Sequence, residues 1–477
     1  MNPFHLRDWL PSPPVTVWLL VLALAIQGSI ARESAAQEQG AANPVTPDGA
    51  GAPPDSEPQV SFRRDIAPIL LEQCVACHSA KKAEGGYRID NFVELSKPGD
   101  SGIAMLTGPA EKHGELLRRL ITDDESERMP AESEALSAEQ ISLIRRWLVD
   151  GGEFDGPDPE ESLAFVIPPP RYPDPPANYP AAVPVTAMAF SPDGNLLLVG
   201  GYHELLAWNV SDGSLVRRIP NLTQRIFSIG FSPDGSRLAV AGGEPGRSGE
   251  VRLVDWASGE VTAVIGRSAD VALDLAFRPD TPQLAIAAAD SLIRIVDLET
   301  SETIRTLASH ADWVTAVAWS PDGTRLVSAS RDKSAKVFDS ETGELLSSYQ
   351  GHGAAVRGVM VMADGQHTLS TGADNQLHRW EISGGKRIAT VALGGEGYHL
   401  TSGGEGFVIV PVADKRLLRI DLSKNAVQQA FTGLSDWALA SAWHAPTNRL
   451  AAGDYAGRVR IWALEDSEWV RDWQAQP

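Results

Sequence analysis

The chain is poor in cysteine, in positive charge and in long apolar runs. Only two cysteines occur in 477 residues, and no second Cys or His pair accompanies them, so a tetrahedral zinc cage is excluded. Lys and Arg number 41 against 62 Asp and Glu, a net charge of −21. That balance argues against nucleic acid, which needs a basic face to release phosphate counterions. Partners are expected to be neutral or basic where they dock. No nucleophile–base pair, phosphate-cradling loop or metalloprotease motif stands out. The apolar run Val15 to Ile26 is twelve residues long, short of the ~20 of a membrane span. It reads as a signal-peptide core, with Ser29-Ile30-Ala31 and Ser34-Ala35-Ala36 as cleavage candidates. Residues 1–31 then form a leader that exports the chain to the periplasm or cell envelope, and an uncut leader would tether it to the membrane.

The two cysteines lie together as Cys74-Val75-Ala76-Cys77-His78. This is the spacing for covalent attachment of one c-type haem: two thiols add to the porphyrin vinyl groups and the next residue offers an imidazole to the iron. A thioredoxin-like dithiol would need a βαβ context, whereas the flanks read as helix. Phe62, Ile66, Ile69, Leu70 and Cys74 recur at helical spacing, so an amphipathic helix delivers the motif at its end. Gly85-Gly86 marks a turn into an extended piece. Ser137 to Gln140 fits a capping box opening a second helix with an Ile141, Ile144, Trp147, Leu148 stripe, closed by Gly151-Gly152. Met129, Met105 and His113 are the candidates for the sixth iron ligand, of which Met105 reads better as a gap-filling side chain and His113 better as a surface residue.

Length alone calls for two or more domains. Residues 32–60 lack large apolar side chains and read as a mobile tether. Residues 61–151 make the haem domain, with 12 basic against 16 acidic residues and hence no basic face of its own. Residues 152–184 hold ten prolines and read as a stiff, extended linker. Phe165-Val166-Ile167 interrupts it, either docking as a strand on the next domain or packing back on the haem domain.

From Val185 to Pro477 the sequence repeats. Ser-Pro-Asp-Gly turns or their degenerate forms recur with third positions at 193, 234, 280, 322, 364, 405 and 447, seven units that imply a propeller of four-stranded blades. Each unit ends a strand on a large residue and usually an acid, as in Phe338-Asp339 and Trp380-Glu381. The expected fold is therefore multidomain: a small all-α domain, then an all-β seven-bladed propeller.

Two resemblances follow from these motifs. Phe62 through Ile66, the CxxCH, Gly85 to Asp90, Arg128-Met129-Pro130 and Leu136 to Gln140 together resemble the planctomycete-type cytochrome c domain, departing from it at Ala131, where a second proline is common. The resemblance implies a class I-like cytochrome with Cys74 and Cys77 as haem thioethers, His78 as proximal ligand and Met129 as distal ligand. The repeats resemble the WD-repeat family, with His352, Ser370, Asp374 and Trp380 matching its hydrogen-bonded tetrad and His310, Ser328 and Asp332 matching it up to Phe338. The expected function is single-electron transfer by an exported cytochrome, with redox partner proteins and a protein partner docking on the propeller. The alternatives are a haem- or quinone-type oxidoreductase with its site in the propeller channel, for which His203, His367, His378, His399 and His444 are unassigned, and a haem-based redox or gas sensor.

Overall fold

The computed structural model describes residues 59–477, apart from 81, 107–113, 132, 157 and 466–468. The Val15 to Ile26 run, His113 and all but the last two positions of the 32–60 segment lie outside the described residues. Among the described residues no helix is long and apolar enough to cross a membrane.

The small domain begins with one wide helical turn, Phe62–Ile66, that runs into helix α1, Ala67–Gln73. Ser61 starts it by accepting a hydrogen bond from the Arg64 amide. Short helices α2 (Phe92–Ser96) and α3 (Glu115–Ile121) follow, then the longest, α4 (Ala138–Val149). The capping box at α4 is formed: the Ser137 side chain accepts from the Gln140 amide, and the Gln140 side chain accepts from the Ser137 amide. The α4 stripe buries Ile144, Trp147 and Leu148, and the helix stops where Gly152 takes a positive φ of 64°. Phe62 is fully buried, with Phe92, Trp147 and Phe154 ring centroids 5.0, 5.3 and 5.6 Å away. Burying each ring contributes roughly 2–3 kcal/mol.

This apolar core continues past Gly151. Leu163–Val166, helix α5, is one short turn whose Leu163 and Val166 are buried in the same cluster as Phe62 and Leu70. Of the two placements open for Phe165 to Ile167, Val166 and Ile167 take the small domain while the Phe165 ring lies 5.9 Å from the Arg267 guanidinium of the propeller, and no strand forms there.

Residues 188–474 form seven four-stranded antiparallel sheets, each built from consecutive strands. The first strands of neighbouring blades touch one another, so they line the axis and the fourth strands form the circumference. Connections from the second to the third strand, and from one blade to the next, lie at one end, here called the upper end. The Ser-Pro-Asp-Gly turns lie at the other. Glycine completes each such turn with a positive φ, 70° at Gly194, 72° at Gly235 and 67° at Gly323. Blade 7 supplies its own outer strand, Trp469–Gln474. The ring closes by packing of the first strand of blade 7 on that of blade 1. Gln476 reinforces the seam by accepting from the Val183 amide at 3.3 Å and donating to the Val183 carbonyl at 3.1 Å.

Candidate functional site

Helix α1 ends where the Cys74 and Val75 amides both donate to the Leu70 carbonyl, at 3.0 and 3.2 Å. The chain then turns on Cys74, whose carbonyl accepts from the Cys77 and His78 amides at 3.2 and 3.1 Å. One turn thus gathers all three motif residues. Both thiols are free. Cys74 is packed on the small-domain core, and burial, with the nearby Cys77 adding, pushes its thiol up to about 11. That is the opposite of the depressed thiol of a redox dithiol, which must be a thiolate to attack.

The imidazole of His78 is oriented from the backbone. Its Nδ1 lies 3.3 Å from the Tyr87 carbonyl oxygen, and its ring meets the Tyr87 ring edge-on at 5.4 Å. Nδ1–H donation to that carbonyl leaves Nε2 as the free lone pair, the arrangement that suits a ligating histidine. Three local features return Tyr87 to this place: positive φ values of 62° and 65° at Gly85 and Gly86, the Ile89 amide donating to the His78 carbonyl at 2.9 Å, and the Tyr87 hydroxyl donating to the Leu95 carbonyl at 2.9 Å. Sequence reasoning missed this acceptor, because a carbonyl belongs to every residue.

Met129 is half-buried against the same apolar cluster that Cys74 and Val75 pack on. Its loop is tied to α3: the Met129 amide donates to the Arg119 carbonyl at 2.9 Å, and Arg118 pairs with both Glu115 and Glu127, at 2.8 and 2.5 Å. Glu115 is buried, and the hydrogen bond from Arg118, with help from Arg119, holds its carboxyl down to about 2. Met105 is buried in the core. Two thiols and an imidazole with one free nitrogen gathered on one turn, and a half-buried thioether on the cluster that Cys74 also packs on, are a donor set that fits a covalently held haem.

In the propeller, His352 bonds Asp374 at 2.8 Å and Ser370 at 2.7 Å, and the Trp380 indole donates to Ser370 at 3.1 Å. His310 bonds Asp332 and Ser328 at the same two distances, with Phe338 buried in the tryptophan's place. These histidines are joints of their blades. His378 lies on His352, ring centroids 3.9 Å apart and planes 12° from parallel, and with Asp374 makes a cluster of metal-ligating type. Its geometry belongs to packing: Nδ1 meets the Tyr349 hydroxyl at 2.6 Å, Nε2 meets Gln376 at 3.2 Å, and stacked rings aim their in-plane lone pairs side by side. Of the remaining unassigned histidines, His203 is buried under Tyr172, His444 bonds Thr447, His367 bonds Asp364 and His399 stands 3.8 Å from Asp274. They do not converge.

Residues 74–133 match the family model described as planctomycete cytochrome C, and residues 177–209, 301–339 and 343–381 match the WD domain, G-beta repeat. The chain joins a cytochrome c-type domain to a WD-repeat propeller. The cytochrome match begins on Cys74 and takes in the whole motif and Met129, while the second and third WD matches enclose the two histidine networks. A WD repeat-containing protein 26 homolog of Drosophila melanogaster is 42% identical over 71 residues, which make up 14% of this chain and 11% of that protein. The likeness therefore speaks for the repeat and for nothing larger.

Proposed function

We propose that this is an exported c-type cytochrome that carries one covalent haem and passes single electrons, with the WD-repeat propeller as the platform on which its protein partners dock. The observation that carries the reading is the pairing of two free thiols with a histidine whose Nδ1 is taken by the Tyr87 carbonyl. Cys74 and Cys77 would hold the porphyrin by thioether bonds, His78 would ligate through Nε2, and Met129 would offer its thioether sulfur as the second protein ligand. A haem held this way supplies a one-electron ferric/ferrous couple whose potential thioether ligation raises. The protein's own part is to keep the imidazole in one tautomer and orientation, to shield the site with the Phe62 and Trp147 core, and to hold Met129 on a loop fastened to α3. Export, to the periplasm or cell envelope, fits the apolar stretch near the start of the chain.

The test is a haem stain of denatured protein, coexpressed with a c-type maturation system, and an alkaline pyridine spectrum. One haem per chain that survives denaturation and acidified organic solvent is expected in the parent protein. Cys74→Ser with Cys77→Ser should lose it while the propeller still folds. Pigment extracted from the parent protein by acid solvent would refute covalent attachment.

A further inference from the structure

The proline-rich segment is strapped to the propeller. Prolines have no N–H, so such a run forms no ladder, yet its carbonyl oxygens keep their full accepting capacity. Three arginines of blades 1 and 2 take those oxygens. Arg267, at the upper end of the outer strand of blade 2, donates from one nitrogen to the Phe165 carbonyl at 2.7 Å and the Ile167 carbonyl at 2.5 Å. Arg252 is 1% exposed; it donates to the Pro170 carbonyl at 2.8 Å and lies 4.4 Å from the Tyr172 ring centroid. Arg218 donates to the Pro176 and Ala177 carbonyls at 2.6 and 3.2 Å.

The propeller also binds the side chains of this segment. The Tyr172 ring lies tilted against buried His203, centroids 4.6 Å apart, and its amide donates to the Asn221 side chain at 3.0 Å. Tyr179 donates to the fully buried Glu204 at 2.6 Å, which is paired in turn with Arg218. Two buried carboxylates, Glu204 and Glu250, therefore stand behind the arginines that hold the strap. Burial lowers the pKa of Arg267, as expected of a cation whose direct partners are neutral carbonyls.

We infer that the upper rim of blades 1 and 2 is a docking site whose occupant is this chain's own Phe165–Tyr179 segment, so that the cytochrome domain is held at a fixed position on the propeller. The other end of the strap is anchored in the cytochrome domain. Leu163 and Val166 are buried in its core, and Arg63 donates to the Val166 carbonyl at 2.9 Å. Carbonyls on either side of Val166 go to Arg267, so neighbouring residues are gripped from the two domains. An external partner must then use the blades that the strap leaves open, beside a haem domain whose position is already set.

Trypsin cleavage at the exposed Arg171, read by mass spectrometry, with small-angle X-ray scattering of the full chain, tests this. Tyr172→Ala loosens the strap without touching a blade, and Arg267→Met loosens it from the propeller side while leaving the Arg218–Glu204 and Arg252–Glu250 pairs in place. The parent protein is expected to be cut at Arg171 about tenfold more slowly than either variant and to scatter as one rigid particle. Both variants should keep the circular dichroism of a folded propeller and show a larger radius of gyration. Equal cleavage rates in all three proteins, or parent scattering that requires a distribution of domain positions, would overturn the inference. The readouts do not involve haem, so they stand apart from the electron-transfer proposal.

Discussion

Acidification should weaken blade 5 through one histidine, and the size of the effect follows from the structure. His352 and His378 are 6% and 1% exposed and stack at 3.9 Å. Burial, and then the charge His352 would carry, hold His378 down to about 4. Asp374, 3.8 Å from its Nε2, opposes this, while the charge of Arg387 adds to it. The folded pKa lies below the ~6.5 of an unfolded histidine, so the unfolded chain takes up the proton first. Stability is therefore complete above about pH 6.5 and is lost as pH falls toward 4. Linkage between those two values gives a loss of about 2 kcal/mol on going from pH 7 to pH 5. Burial works to raise Asp374, yet the His352 hydrogen bond and charge leave it below the usual carboxylate range, so it stays charged across this window. His310, also lowered by burial, adds a background of the same sign. The assay is urea denaturation at both pH values, followed by far-ultraviolet circular dichroism, on the parent protein and His378→Gln. The variant is expected to lose about 2 kcal/mol less than the parent between pH 7 and pH 5. Identical losses in the two proteins would refute the argument, whatever their stability at pH 7.

Two further substitutions probe one domain each. Ser137→Ala removes the α4 capping box and should cost the cytochrome domain about 1 kcal/mol, seen as a lower midpoint in its thermal unfolding with the propeller transition unmoved. Gly242→Ala would place a Cβ 1.9 Å from the Arg225 carbonyl oxygen and 2.3 Å from the Thr223 hydroxyl. The first two strands of blade 2 would have to part, and a loss of about 3 kcal/mol or more in the propeller's urea stability is expected.

Much of this architecture could be read in advance because its signals are local. A Ser-Pro-Asp-Gly turn carries its own conformation, so seven of them at blade spacing announce seven sheets wherever the chain folds. The motif Cys74 to His78 and the capping box at Ser137 likewise need only neighbours within one helical turn. His352, Ser370 and Asp374 sit at offsets that antiparallel pairing brings together, so that network was legible too. The seam at Gln476 was not, since closure depends on how the last blade meets the first.

Sequence alone determined the two domain types, the place of the CxxCH motif at the end of a helix and the number of blades. Only the tertiary structure decided what orients His78, what becomes of the proline-rich stretch and why His378 is a packing residue. The physical reason is the same in the first two cases. The deciding acceptors are backbone carbonyls, of Tyr87, Phe165, Ile167 and Pro170, which every residue possesses and which no side-chain pattern marks. Arg252 reaches a carbonyl 82 positions away and Arg267 one 102 positions away, distances over which spacing carries no information until the chain has folded.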